Sequence, residues 1–248
     1  FSVGADTKKS CGSETGHTAV TVDDIQRSGE QRIQADTAHN AHKIAFAVDL
    51  RHGEHLMVAF ALGVMPGTDM VAAADVIAGE TGDVRAIPRL PARGIMSDAV
   101  GATCALLPDA PVAAGPRSWR LEARPQLITR RLWDQAERDL DLLEAEWGSS
   151  GFTVQVAALG PWSLAAQVEL PNGHLAVTDP GALHDLTEIM TYGLAEHASR
   201  LRRRFHGEVN IQVNEPLLAS LNRGEIAGTN DFDVLRPIPA KELGERLH

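Results

Sequence analysis

The residue best placed to do chemistry is Glu215, in the stretch VNIQVNEPLL, directly behind an apolar run and directly before Pro216. A carboxylate at the end of a strand can bind an amine, orient a basic group, or give and take a proton. Folds built on parallel strands place their chemistry at those strand ends. The structural alternative is an ion pair between Glu215 and an arginine such as Arg93 or Arg120. Asn214 precedes the glutamate. Successive strand residues face opposite sides, so Asn214 and Glu215 share a site only if the strand stops there, as Pro216 predicts. These two are the candidate catalytic residues.

A second group could bind a substrate. Met65, Pro66 and Gly67 make a tight exit from an apolar run. Thr68 and Asp69 then provide a helix cap, and the free N–H groups of that first turn could hold a carboxylate or phosphate. Arg89, Arg93 and Arg120 fall near expected strand ends or loops, where a guanidinium can pair with a carboxylate in bidentate fashion. Trp119 and Trp162 follow turns and could stack on a flat ligand or simply pack.

Metal chemistry finds little support in residue spacing. HNAHKIAFAVDLRHGEH holds His39, His42, His52 and His55, but an apolar run divides the two pairs and HGEH is one residue short of HExxH. His184 and His197 read as helix residues. Cys11 lies in a polar stretch and Cys104 in an apolar one, so no disulfide framework or cysteine cluster is expected. The basic run LRRRFH, Leu201 to His206, ends a helical pattern, where positive charge suits the helix dipole. Phosphate binding is its alternative use.

The elements that must position these residues alternate. VAFALGVMPGTD reads as strand and loop, and DMVAAADVIAGE as a helix capped from Thr68–Asp69. VRAIPRLPARG is a short extended run, and SDAVGATCALL a helix. APVAAG is a short strand or an extended connection. In RRLWDQAERDLDLLEAEW, the spacing of Leu132, Ala136, Leu140, Leu143 and Trp147 predicts an amphipathic helix. GFTVQVAALGPW is a near-continuous apolar strand. DPGALHDLTEIMTYGLAEHASRLRRR puts Leu183, Leu186, Met190, Leu194, His197 and Leu201 on one helical face, and EVNIQVNEP closes with another strand. Strands apolar on both faces suit a parallel sheet. No GxGxxG follows the first strand and no GxxxxGK[ST] occurs, which argues against nucleotide binding.

The formal charge of −10, from 23 basic and 33 acidic residues among 248, disfavours non-specific binding to nucleic acid or anionic lipid. No run of 18 apolar residues is present, and the first residues lack the apolar core of a signal peptide, so a reducing cytoplasm is the expected compartment.

The motifs GVMPGTD, LPARG, SWRL, LDLLEAEW, QVAALGPWSLA, ELPNG, DPGALHDL and QVNEP, in that order from about Ala61 to about Gly228, are similar to the vitamin-B12-independent methionine synthase family. They most resemble compact proteins related to its C-terminal catalytic domain, within a superfamily that also holds uroporphyrinogen decarboxylase. The resemblance implies a TIM (β/α)8-type barrel, incomplete or divergent here because only about five strand candidates precede the end. It also implies methyl transfer from 5-methyltetrahydrofolate to a homocysteine-like thiol held on zinc, and hence methionine and amino-acid biosynthesis. Val64 stands where the family has a serine, and Asn214 where it has an aspartate that holds the substrate amino group. The zinc ligands that follow Asp-Glu-Pro in the family have no counterpart after Glu215. Zinc is therefore expected only with ligands beyond His248 or from another chain, and no residue of this chain is assigned to metal.

The organisation expected is a flexible polar leader over 1–20, a helical segment over 21–57 and a barrel-type domain over 58–248 that lacks the family's last strands. The expected partner is a small amino acid, thiol or folate-like molecule, with no nucleic acid and no membrane. Two alternatives to the enzyme stand: a non-catalytic small-molecule-binding relative without the zinc site, and a structural protein whose barrel a second chain completes.

Overall fold

The computed structural model describes residues 44–49, 56–115, 118–149, 151–228 and 234–245. The expected leader over 1–20, Cys11 and the histidines His39, His42, His52 and His55 lie outside the described residues. Within the segment expected to be helical, Ile44–Asp49 is instead a strand, β1, paired antiparallel with β2, Leu56–Ala61. The alternation in IAFAVD has a period of two, which outweighs the wider helical spacing read through it.

Beyond this hairpin the chain is α/β. Asp69 caps α1, Met70–Thr81, by accepting from the N–H groups of Val71 (2.9 Å) and Ala72 (3.2 Å). Strand β3 is Val84–Ala86, and α2, Ala99–Ala105, is capped by Asp98 through the Gly101 N–H at 2.6 Å. Two short strands follow, β4 (Val112–Ala114) and β5 (Trp119–Leu121), then α3, Leu127–Trp147. Strand β6 is Thr153–Leu159, α4 is Pro161–Ala165 and β7 is Val168–Glu169. The long helix α5, Pro180–Phe205, has Pro180 in its first turn and Arg202, Arg203 and Arg204 in its last. It leads to β8, Val209–Asn214, then to α6, Leu218–Arg223, and α7, Ala240–Glu245.

Among the described residues, the expected TIM (β/α)8-type barrel is not found. The strands form the β1–β2 hairpin, a parallel sheet β3-β6-β8 and a mixed sheet β4-β5-β7, and none of these closes. The reason lies in APVAAGPRSWRL. A barrel needs a parallel strand and a crossover helix there, but this stretch turns back on itself. Val112 pairs with Leu121 and Ala114 with Trp119, antiparallel. A tight hairpin leaves no room for a crossover, and the parallel ladder stops at three strands.

The parallel sheet has two unlike faces. Val154, Val156 and Val209 belong to a core with Ile77, Leu143, Leu201 and Phe205 from α1, α3 and α5. Trp147, Phe152 and Phe205 meet there with ring centroids 5.8–6.2 Å apart, and the Arg85 guanidinium lies 4.2 Å from the Phe152 ring centre. Pairing of Ala157 with Gln212 places Gln155, Ala157, Gln212 and Asn214 on the opposite face. A second core, with Trp119, Trp162, Leu164 and Val168, joins the mixed sheet to α4 and α5. Leu183, Leu186, Met190, Leu194, His197 and Leu201 are all buried, as their helical spacing predicts. Among the described residues, no helix is long and apolar enough to cross a membrane.

Candidate functional site

The carboxyl ends of the parallel strands lie along one edge. There Met65 N–H donates to Arg89 O (3.0 Å), Ile87 N–H to Gln155 O (2.9 Å) and Gly160 N–H to Asn214 O (2.7 Å). This edge carries the Met65 turn, Asn214 and Glu215 on neighbouring strand tips.

Glu215 is only 5% exposed, and its carboxylate is engaged by the chain itself. Oε1 accepts from the Trp162 N–H at 2.9 Å, and Oε2 from the Ser163 N–H at 2.7 Å. The Ser163 hydroxyl accepts from Leu217 N–H at 3.1 Å. Helix α4 begins with free N–H groups, as every helix does, and Glu215 supplies the acceptors. Burial pushes the Glu215 carboxyl above its ordinary range, against the opposing pull of hydrogen bonds from Ser163 and from the Trp162 N–H. A Cβ on Gly160 would sit 2.3 Å from Glu215 Oε1 and 2.6 Å from its Cγ, so a glycine is required for the carboxylate to reach the helix. The carboxylate's partner is thus a helix terminus, and neither arginine expected to pair with it does so.

Arg93 donates to both oxygens of Asp139, at 2.8 and 2.9 Å, and to Thr68 O at 2.8 Å, tying the start of α1 to α3. Arg120 donates to Glu122 at 2.9 and 2.8 Å. Trp119 is fully buried, its indole N–H shared by the two oxygens of Asp98 at 3.2 and 3.1 Å. Trp162 is also buried and donates to Leu243 O at 3.0 Å. Both rings are therefore core. Met65 is buried, while Pro66 and Gly67 stand exposed at the loop. Arg89, half-buried, donates weakly to Ser97 O at 3.4 Å. Burial lowers its pKa and Asp98 partly restores it. The Cys104 thiol is pushed up to about 12, by burial first and Asp98 second, and so stays protonated.

The structure adds residues to which the motifs did not point. Gln155 and Gln212, buried in the middle of adjacent strands, form an amide relay with Asn214. Gln155 Nε2 donates to Ala61 O at 3.2 Å and to Gln212 Oε1 at 2.7 Å, and Gln212 Nε2 donates to Asn214 Oδ1 at 2.8 Å. The signal was available: one glutamine interrupts each apolar strand, and a buried amide requires a partner. Replacing Gln155 by Leu removes the donor to Gln212 and leaves its oxygen unpaired. That change should cost about 2 kcal/mol in urea unfolding.

Direction in the relay follows from its anchor. Ala61 O can only accept, so Gln155 turns its NH2 toward it, Gln212 presents oxygen to Gln155, and Asn214 presents oxygen to Gln212. Among the described residues, the Asn214 NH2 has no partner. What Asn214 offers at the strand tips is therefore a donor, suited to a carboxylate or carbonyl and unsuited to an ammonium.

Among the described residues, no group of three His, Cys, Asp or Glu side chains gathers closely enough to hold a metal. With Glu215 committed to α4, the described residues do not fit a zinc ion. No protein-family model, curated protein or solved structure matches the chain.

Proposed function

We propose that this chain binds a small polar molecule, amino-acid-like in size, through the molecule's carboxylate, at the carboxyl end of β8. In this reading it is a non-catalytic relative of the cobalamin-independent methionine synthase family. The observation that carries the reading is the open NH2 of Asn214 at the end of the Gln155–Gln212 relay. Aligned amides polarise one another, which strengthens the last donor in the row. A hydrogen bond from that donor to an ionised acceptor contributes about 1.5–3 kcal/mol. The half-buried position of Asn214 shields the contact from bulk water.

Methyl transfer, which the motif order implies, has less support from the geometry. A substrate amine would need an acceptor, and the oxygens of Glu215 and Asn214 already serve the protein.

Calorimetry with homocysteine and with its methyl ester tests the reading. The free acid should bind more tightly than the ester, and Asn214→Ala should weaken the acid roughly tenfold or more. Equal affinities for acid and ester, or an unchanged affinity in the variant, would overturn it. Methionine formed from homocysteine and 5-methyltetrahydrofolate would restore the enzyme reading instead.

A further inference from the structure

The basic run at the end of α5 has a structural context that the strand-tip site does not use. A cavity of about 350 Å³ lies beside α5, lined by Leu140 of α3 and by His197, Arg200, Leu201, Arg203 and Arg204 of α5. Every lining side chain that carries a fixed charge is cationic, on a chain whose formal charge is −10. His197 is 6% exposed, and among the described residues its buried Nε2 has no hydrogen-bond partner. His197 lines the cavity, and this orphan nitrogen lies just behind its surface, so the ring must turn slightly to meet a hydrogen-bonding demand that is otherwise unmet.

The other charges at this cleft can be accounted for one by one. Arg204 pairs with Glu137, Asp141 and Glu144 of α3. Among the described residues, Arg200 pairs with Glu137 through Nη2 only, leaving Nε and Nη1. Arg203 is exposed and has no ion pair among the described residues. Uncommitted donors therefore remain on Arg200 and Arg203, next to the buried imidazole.

We propose that this cleft binds a small phosphate-class dianion, held by the Nε2–H of His197 and by the free guanidinium N–H groups of Arg200 and Arg203. A tetrahedral dianion presents several acceptor oxygens and can meet donors that diverge from one helix face. Its second charge lets it compete with the carboxylates of α3 for the arginines. Leu140 and Leu201 form an apolar floor that strengthens those contacts. The imidazole is neutral at neutral pH, its pKa lowered to about 4 by burial and then by Arg200, against the pull of Glu137. It then carries a single ring N–H, and the tautomer that can donate to the anion is the one protonated on Nε2.

The test is thermal unfolding at pH 7 and fixed ionic strength, with sodium phosphate replacing sodium chloride. Phosphate should raise Tm, and Arg203→Ala, an exposed change that leaves the core intact, should require roughly tenfold more phosphate for the same rise. No rise in the wild type, or an equal rise in the variant, would overturn the proposal. Acetate should not reproduce the effect, and an acetate response as large as that of phosphate would overturn the dianion. Nitrogen-15 NMR gives a second reading that does not depend on unfolding. The His197 Nε2 resonance should shift on adding phosphate, and a resonance that stays fixed at saturating phosphate would exclude the imidazole from the site.

Discussion

Glu215→Ala is expected to lower the free energy of unfolding by about 3–4 kcal/mol, read from urea denaturation at pH 7. The substitution deprives the Trp162 and Ser163 N–H groups of their acceptors, at a helix start where both residues are almost fully buried. Water cannot easily replace the carboxylate there, so most of the desolvation cost of two donors is felt. Glu215→Gln keeps the shape but turns one acceptor into a donor facing an N–H, and about half the loss should remain. Gly160 supplies an internal control. Alanine there collides with the Glu215 side chain in the wild type, because the clamped carboxylate fills the space. In the Glu215→Ala background that obstacle is gone, so Gly160→Ala should cost much less than it does alone, a strong non-additivity between contacting residues. Equal costs in the two backgrounds would refute the clamp. Unchanged stability with lost ligand binding would assign Glu215 to a ligand instead.

The second large effect is acid sensitivity through His197. Its folded pKa of about 4 lies below the ordinary histidine value near 6.5, because burial and then Arg200 disfavour the imidazolium. Glu137 pulls the other way, Arg203 and Arg204 line the same cavity as the imidazole, and Glu137, Asp141 and Glu144 pair with Arg204. The unfolded chain therefore takes up the proton first as pH falls. The stability this histidine contributes is complete above about pH 6.5 and is lost progressively down to about pH 4. The loss amounts to about 3 kcal/mol. Carboxylates titrate toward the lower end of the same range, so the measurement is a difference. Between pH 7 and 4, wild type should lose about 3 kcal/mol more than His197→Phe. Parallel stability–pH curves would show that His197 is not buried as a neutral ring.

Much of the helical layer was legible in the sequence. The cap at Asp69, the buried stripe of α5 and the apolar strands β6 and β8 follow from local spacing and residue type. The sheet was less so, because periodicity says which face of an element is buried and not which element covers it. APVAAG read as a short strand or an extended connection and SWRL only as a motif of the resemblance, whereas their pairing with one another makes a hairpin and ends the parallel ladder. At the candidate site, Glu215 was legible as a carboxylate behind a strand. Its partners were not, since backbone N–H groups leave no mark in residue type. The relay was visible only as two isolated glutamines. Their alignment depends on the register that sets Ala157 opposite Gln212, and register is a property of the assembled sheet.

The order in which the parallel sheet is wired also constrains how the chain acquires its shape. Val84 must wait for Thr153, and Val154 for Val209. Each pairing closes a long loop that contains a complete long helix, α3 or α5, so the slow events in refolding should be these two closures, with helix growth far ahead of them. During synthesis, β6 leaves the ribosome with β3 as its one strand partner among the described residues, and the flank destined for β8 stays bare until α5 has been made. That interval is when the nascent chain is most open to joining another strand.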